Sequence, residues 1–184
     1  MLRFILLLLL AAPAAAQTAP PVPAPSSPLK AYALRLRPGD DLRQQLNAFV
    51  QAHGLQAGTM LTCVGSLTTV ALRLANQDGA STYHGHFEIV SLVGTLSASG
   101  SHLHLAVSDS TGRTLGGHLL DGCRVYTTAE IVLAELPALA FSRETDATFG
   151  YKELVVQPAP VPTPPAAQPP TKPAAQPQPR PRRN

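Results

Sequence analysis

The sequence predicts an α/β domain of the α+β kind: a largely antiparallel β-sheet with one main helix packed on it. Three observations predict it. Between Lys30 and Val156, segment after segment alternates apolar and polar residues, the period of a half-buried strand. A single stretch carries apolar residues at helical spacing, Leu42, Leu46, Phe49 and Val50. The joints between segments are short, and short turns join antiparallel strands.

Proline sets the limits of the domain. Of the 19 prolines, five lie between Pro20 and Pro28 and eleven between Pro158 and Pro181. Proline lacks a backbone donor and fixes φ, so neither flank reads as helix or central sheet. The globular unit is therefore 30–156. Met1 to Gln17 reads as a secretory signal peptide, with Arg3 ahead of an apolar run and Ala14-Ala15-Ala16 as a cleavage site, giving 1–16. The apolar run is short of the ~20 residues a spanning helix needs, so the expected address is periplasmic or secreted. No Cys follows the site to carry a lipid. Residues 17–29 form a Pro/Ala-rich linker, a semi-rigid spacer. Residues 157–184 are a Pro-rich basic tail, expected to be disordered.

Taken in order, Lys30 to Arg37 alternates, with Tyr32, Leu34 and Leu36 on one face. Pro38-Gly39-Asp40 breaks that strand, and Asp40 or Asp41 caps the helix. Gly54 ends the helix just after His53, which reads as a helix-end residue interacting with the dipole. Thr59 to Val64 is a buried strand ended by Gly65-Ser66, and Val70, Leu72 and Leu74 alternate in the next. Asn76 to Gly79 is a hairpin signal. Gly85 to Leu96 is a long strand in which Gly94 marks a bulge or a close backbone approach. A hairpin follows: His102 and His104 on its first strand, Asp109 to Gly112 as its turn, and Gly116-Gly117-His118 on its second. Arg124 to Leu133 is another strand, rich in β-branched residues. After Pro137, Leu139 to Arg143 and Phe149 to Val155 close the domain.

Charge divides unevenly. Residues 30–156 hold nine Lys or Arg against all eleven acids, so the formal +3 comes from Arg3, Lys172, Arg180, Arg182 and Arg183. A mildly acidic folded part disfavours binding nucleic acid through its face, because phosphate contacts need clustered cations. The tail reads as a solvated segment, with weak, salt-screened attraction to anionic surfaces as the sharper alternative.

These motifs resemble the PPC (plants-and-prokaryotes conserved) domain. The resemblance is carried by Gly85-His-Phe-Glu-Ile-Val-Ser-Leu-Val-Gly94, His102-Leu-His104, Gly116-Gly-His-Leu119, Gly122 and Glu130. The Leu36-Arg-Pro-Gly-Asp-Asp-Leu42 opening and Val64-Gly-Ser66 extend it over nearly all of 30–156. It implies a trimer-forming unit, a homotrimer. In plants such domains sit beside AT-hooks in nuclear proteins, where the hook reads the minor groove. This chain has no Arg-Gly-Arg hook core. The resemblance supplies no established catalytic residues.

His102, His104 and His118 are the metal candidates. Residues two apart on a strand share a face, and three neutral imidazoles with an open position can hold Zn or another divalent metal and activate water. His118 joins them only if the register agrees, since a one-residue slip turns it away. Glu130 or Asp121 could orient an imidazole from behind. The plainer alternative is that these histidines pack and hydrogen-bond within the sheet or at a trimer contact. His84 and His86 read as exposed strand-end residues. Glu88 reads as a structural partner of Arg73 or Arg124. Cys63 and Cys123 sit in apolar strand contexts, where free thiols behave as small hydrophobes, although an exported protein could also pair them. Ser66, Ser91 and Ser97 lack a nucleophile-elbow context. No Gly-rich loop precedes a helix, which removes phosphate-loop and dinucleotide readings.

The reading is an exported, homotrimeric binding or interaction module, with a metal or small-ligand site at the His cluster. A metal-dependent hydrolytic enzyme using that cluster is the alternative. DNA binding, as the family label suggests, is the third, and export would leave it no chromosomal target.

Overall fold

The computed structural model describes residues 24–148 and 150–160. The expected signal peptide lies outside the described residues, as do most of the expected tail and residues 17–23 of the linker. Among the described residues, eight strands and one helix run in the order β1 (Lys30–Leu36), α1 (Leu42–His53), β2 (Gly58–Arg73), β3 (Ser81–Ser97), β4 (Gly100–Asp109), β5 (Thr114–Leu119), β6 (Arg124–Glu135), β7 (Leu139–Thr145) and β8 (Lys152–Pro158). The first six strands form one sheet in the order β1-β6-β2-β3-β4-β5, and β7 and β8 form a separate pair. All pairings are antiparallel. Among the described residues no helix is long and apolar enough to cross a membrane.

The helix forms where its caps allow. The Asp41 carboxylate accepts from the Gln44 backbone N–H, and Gly54 ends the helix in the left-handed conformation. Such caps satisfy backbone groups that the helix leaves unpaired. The other Asp41 oxygen accepts from the Gly122 N–H at 2.6 Å, which ties the helix start to the turn before β6. Leu42, Leu46 and Val50 are buried, one per turn, and join Leu67, Leu72, Leu92, Leu96, Leu105, Ile131 and Leu133 in the core. The core is thus mainly aliphatic, with Phe87 as its buried aromatic ring. His53 ends the helix as expected, its Nδ1 3.0 Å from the Phe49 carbonyl and its ring stacked on Phe49.

One expectation fails at β2. The two strands expected on either side of Gly65-Ser66 are a single strand. Gly65 does not end it, because the chain passes through at φ +146°. A Cβ there would lie 2.1 Å from the Thr128 carbonyl oxygen. The glycine therefore serves close approach to β6, with a register shift beside it, and is not a terminator. Similarly β3 begins at Ser81, four residues before Gly85, and β7 and β8 extend to Thr145 and Pro158. In each case strand pairing carries the ladder past the point where the alternation fades. Glu88 faces Ser66 and Ser108 on its neighbours and not the arginines expected.

Two further contacts position the site. Leu72 pairs with Leu119 and Arg73 with His118, so β5 returns to β2 and the strands β2 to β5 close into a ring. The β7–β8 pair docks beside this ring through Phe141 N–H to the Gln56 carbonyl at 2.9 Å and the Ser99 hydroxyl to the Phe141 carbonyl at 2.7 Å. At the base of the pair, the Ala138 N–H donates to the Ser27 hydroxyl at 3.0 Å, and the Ala138 carbonyl accepts from Ala159 N–H at 2.8 Å.

Candidate metal centre

The hairpin of β4 and β5 sets the three imidazoles together. His102 and His104 project from one face of β4, and His104 stands directly opposite His118 on β5. Opposed residues of an antiparallel pair share a face, so the register needed for convergence is the one present. The β3 side allows it through Gly94, whose φ is +134°. A Cβ at Gly94 would meet the His102 carbonyl oxygen at 2.0 Å, so only glycine lets β3 lie this close behind the site.

The ring nitrogens converge. His102 Nε2 lies 3.2 Å from His118 Nδ1 and 3.2 Å from His104 Nε2, and one ligand atom from each ring falls within 4.8 Å of the others. A tetrahedral zinc with bonds of about 2.0–2.1 Å separates its ligands by about 3.3 Å. Two of the spacings match that value, and the third pair lies within 4.8 Å, close enough for one small cation to draw the rings together. His102 and His118 are half-buried and His104 is exposed.

Electrostatics favour neutral, ligand-ready rings at His102 and His118. Burial, then Arg143 and His104, lower the pKa of His102. Burial, then Arg73 and the two neighbouring histidines, lower that of His118 to about 4. A neutral imidazole keeps a lone pair for a metal, and a metal need not displace a proton from it near pH 7.

The Plants and Prokaryotes Conserved (PCC) domain model matches residues 24–137. This chain belongs to the PCC-domain family. It is the family its motifs resemble, and the antiparallel sheet with a single helix is that family's fold. A bifunctional protein GlmU from Synechococcus sp. (strain JA-3-3Ab) is 47% identical to this PCC-domain chain over 156 residues, covering 85% of the chain and 25% of the relative. The chain spans about a quarter of the length of the curated relatives it matches. The structure of a hypothetical protein from Salmonella enterica aligns with a TM-score of 0.72 at 51% identity, covering 73% of this chain and 97% of that one. A metal-containing protein from Archaeoglobus fulgidus aligns with a TM-score of 0.59 at 25% identity, covering 68% and 93%.

In this PCC domain the carboxylates expected behind the imidazoles are elsewhere. Asp121 is held by Arg43, Oδ1 to Nη1 at 2.7 Å. Glu130 lies on β6 opposite Arg35 and Val64. Neither belongs to the group of three. The sequence spacing of Asp121 to His118 is short, but the turn after β5 aims its carboxylate at the helix. Cys63 and Cys123 are buried free thiols, pushed by burial up to about 12 and about 11. His84 and His86 are exposed within β3, His84 Nδ1 3.4 Å from the Thr69 hydroxyl and His86 against Tyr126.

The PCC-domain cluster opens on a cleft of about 700 Å³ lined by His102, His118, Arg73, Arg143, Lys152 and Glu153, among others. Sequence reasoning missed Arg73 and Arg143 as site residues. The ring closure from β2 to β5 brings Arg73, and the docked β7–β8 pair brings Arg143. The signal for Arg73 was its place at the end of an apolar strand, where a charge has no core role. For Arg143 there was none.

Proposed function

We propose that this protein is a metal-holding binding module, with one divalent cation, zinc foremost, on His102, His104 and His118. The convergence of the three ring nitrogens, His102 Nε2 at 3.2 Å from each of the other two rings and all within 4.8 Å, carries this reading. Their placement on a closed ring of strands supports it, since a site on rigid strands holds its geometry. The likeness to a metal-containing protein of the same fold agrees. The module is exported and self-associates as a trimer. Self-association is supported by Leu61, Val64, Val90, Val93 and Tyr126, large apolar residues exposed on the adjoining strands β2, β3 and β6. Exposed apolar surface of this kind marks interaction sites.

One test addresses metal and assembly together. Metal content per chain is measured on protein purified without an affinity tag, beside a His102→Ala/His104→Ala variant, with native mass on both. One metal per chain in the parent, lost in the variant while the trimer persists, is the expected result. Metal-free parent protein would sink the metal reading, and a monomeric mass would sink the trimer.

A second reading, metal-dependent hydrolysis, is favoured by the cleft beside the imidazoles. Three His ligands leave a position where a cation can bind and activate water. Turnover of activated esters or phosphoesters by the metal-loaded protein, abolished in the double variant, would promote this reading over simple binding.

A further inference from the structure

Two guanidiniums lie beside the imidazoles. Arg73 shares one concavity with His104 and His118, and Arg143 shares another with His102 and His104. Both also line the main cleft. Both are half-buried, and neither forms an ion pair among the described residues. The contrast with Arg43 in the same cleft is informative, because Arg43 is neutralised by Asp121. One Arg143 nitrogen donates to the Lys152 carbonyl, which fixes the group and leaves its other N–H donors free.

A dication on three neutral imidazoles keeps its full charge, so its remaining position favours an anion. Two unpaired arginines beside it present forked donors suited to carboxylate or phosphate oxygens. The cleft volume, about 700 Å³, is that of a small-molecule site. We infer that the centre takes a small oxyanion, a carboxylate or a phosphate, with one oxygen on the metal and the others on Arg73 and Arg143. This rests on the metal reading above and names the ligand class of that same site.

The test uses the full chain loaded with cobalt(II), whose visible absorption reports its coordination. Inorganic phosphate and malonate are titrated separately, with chloride at matched ionic strength as control. A saturable spectral change with phosphate or malonate, absent with chloride, is expected, and which of the two acts assigns the anion. Arg73→Gln and Arg143→Gln should each weaken half-saturation about tenfold or more while one cobalt per chain is retained. Arg73→Lys, which keeps charge but loses the fork, should fall between. Arg143 lies on the separate strand pair, so its variant stands if Arg73→Gln fails to fold. Cobalt bound one per chain with no response to either anion overturns the oxyanion and leaves the metal reading intact. Equal affinity in the parent and both glutamine variants, or an equal response to chloride, overturns it too. A chain that binds no cobalt overturns both.

Discussion

Gly94 and His102 touch through backbone alone: the space a Cβ would fill on Gly94 is taken by the His102 carbonyl oxygen, 2.0 Å away. Gly94→Ala should force β3 and β4 apart just where β4 presents two of the three imidazoles. A loss of roughly 2–4 kcal/mol is expected from the steric conflict and the positive φ together, with weaker metal binding in whatever folds. Urea denaturation and metal titration of this variant measure the two effects separately. Wild-type stability and affinity would show that the strands yield there.

The acid response of the metal-free protein follows from His118. Its pKa is about 4 in the fold against an ordinary 6.5, so between those values the unfolded chain holds a proton the native chain does not. Stability should be flat above about 6.5 and decline as pH falls from about 6.5 to 4. His102, also lowered, adds in the same direction. Asp109, held below 3.8 first by the Thr111 hydroxyl, stabilises throughout this window and loses its effect only at lower pH. Denaturation midpoints across pH 4.5–7.5 (a range of about three units around the histidine value) should show the decline, and His118→Gln should flatten it. An equally steep decline in the variant would place the proton uptake elsewhere.

Asp41 is 3% exposed and serves three partners: the Gln44 and Gly122 N–H groups and the Arg124 guanidinium at 3.9 Å. Asp41→Ala removes the helix cap and leaves the Gly122 donor unmet, at a cost of roughly 2–3 kcal/mol. Asp41→Asn, which can still cap, should lose less. Thermal unfolding of the pair gives the order, and equal losses would argue against capping as the main role.

Cys63 and Cys123, buried and with pKa values near 12 and 11, should be silent to a thiol reagent at pH 8 in the native protein. Both should react once denatured, because thiolate and access are what the reagent needs. Rapid native labelling would mean that β2 or the start of β6 opens readily.

The helix and its caps were legible because Asp41, Leu42, Leu46, Val50 and Gly54 state them locally. The His cluster was half legible. The His102–His104 spacing fixes a shared face, but the His118 register depends on the turn from Asp109 to Arg113, where the Asp109 carboxylate binds the Thr111 and Arg113 N–H groups. The unbroken β2 was not legible, since a glycine that ends a strand and one that admits a neighbour look alike without the neighbour. Arg143 was not legible either. Its place depends on how the β7–β8 pair docks, through the Phe141 backbone and the Ser99 hydroxyl, contacts that no sequence pattern announces.

Ala138 receives both ends of the described chain, Ser27 on its N–H and Ala159 on its carbonyl. The polypeptide therefore comes in and goes out through one doorway, and everything between hangs from it as a loop. A unit built this way can be spliced into a surface turn of a host protein without spreading the host's cut ends, or carried at the end of a longer chain. Tension applied along the backbone would pull first at the doorway and then at β1 and β8, the strands next to it. The imidazoles sit on β4 and β5 with Glu153 and Leu154 of β8 beside them, so load on the exit strand would reach the site.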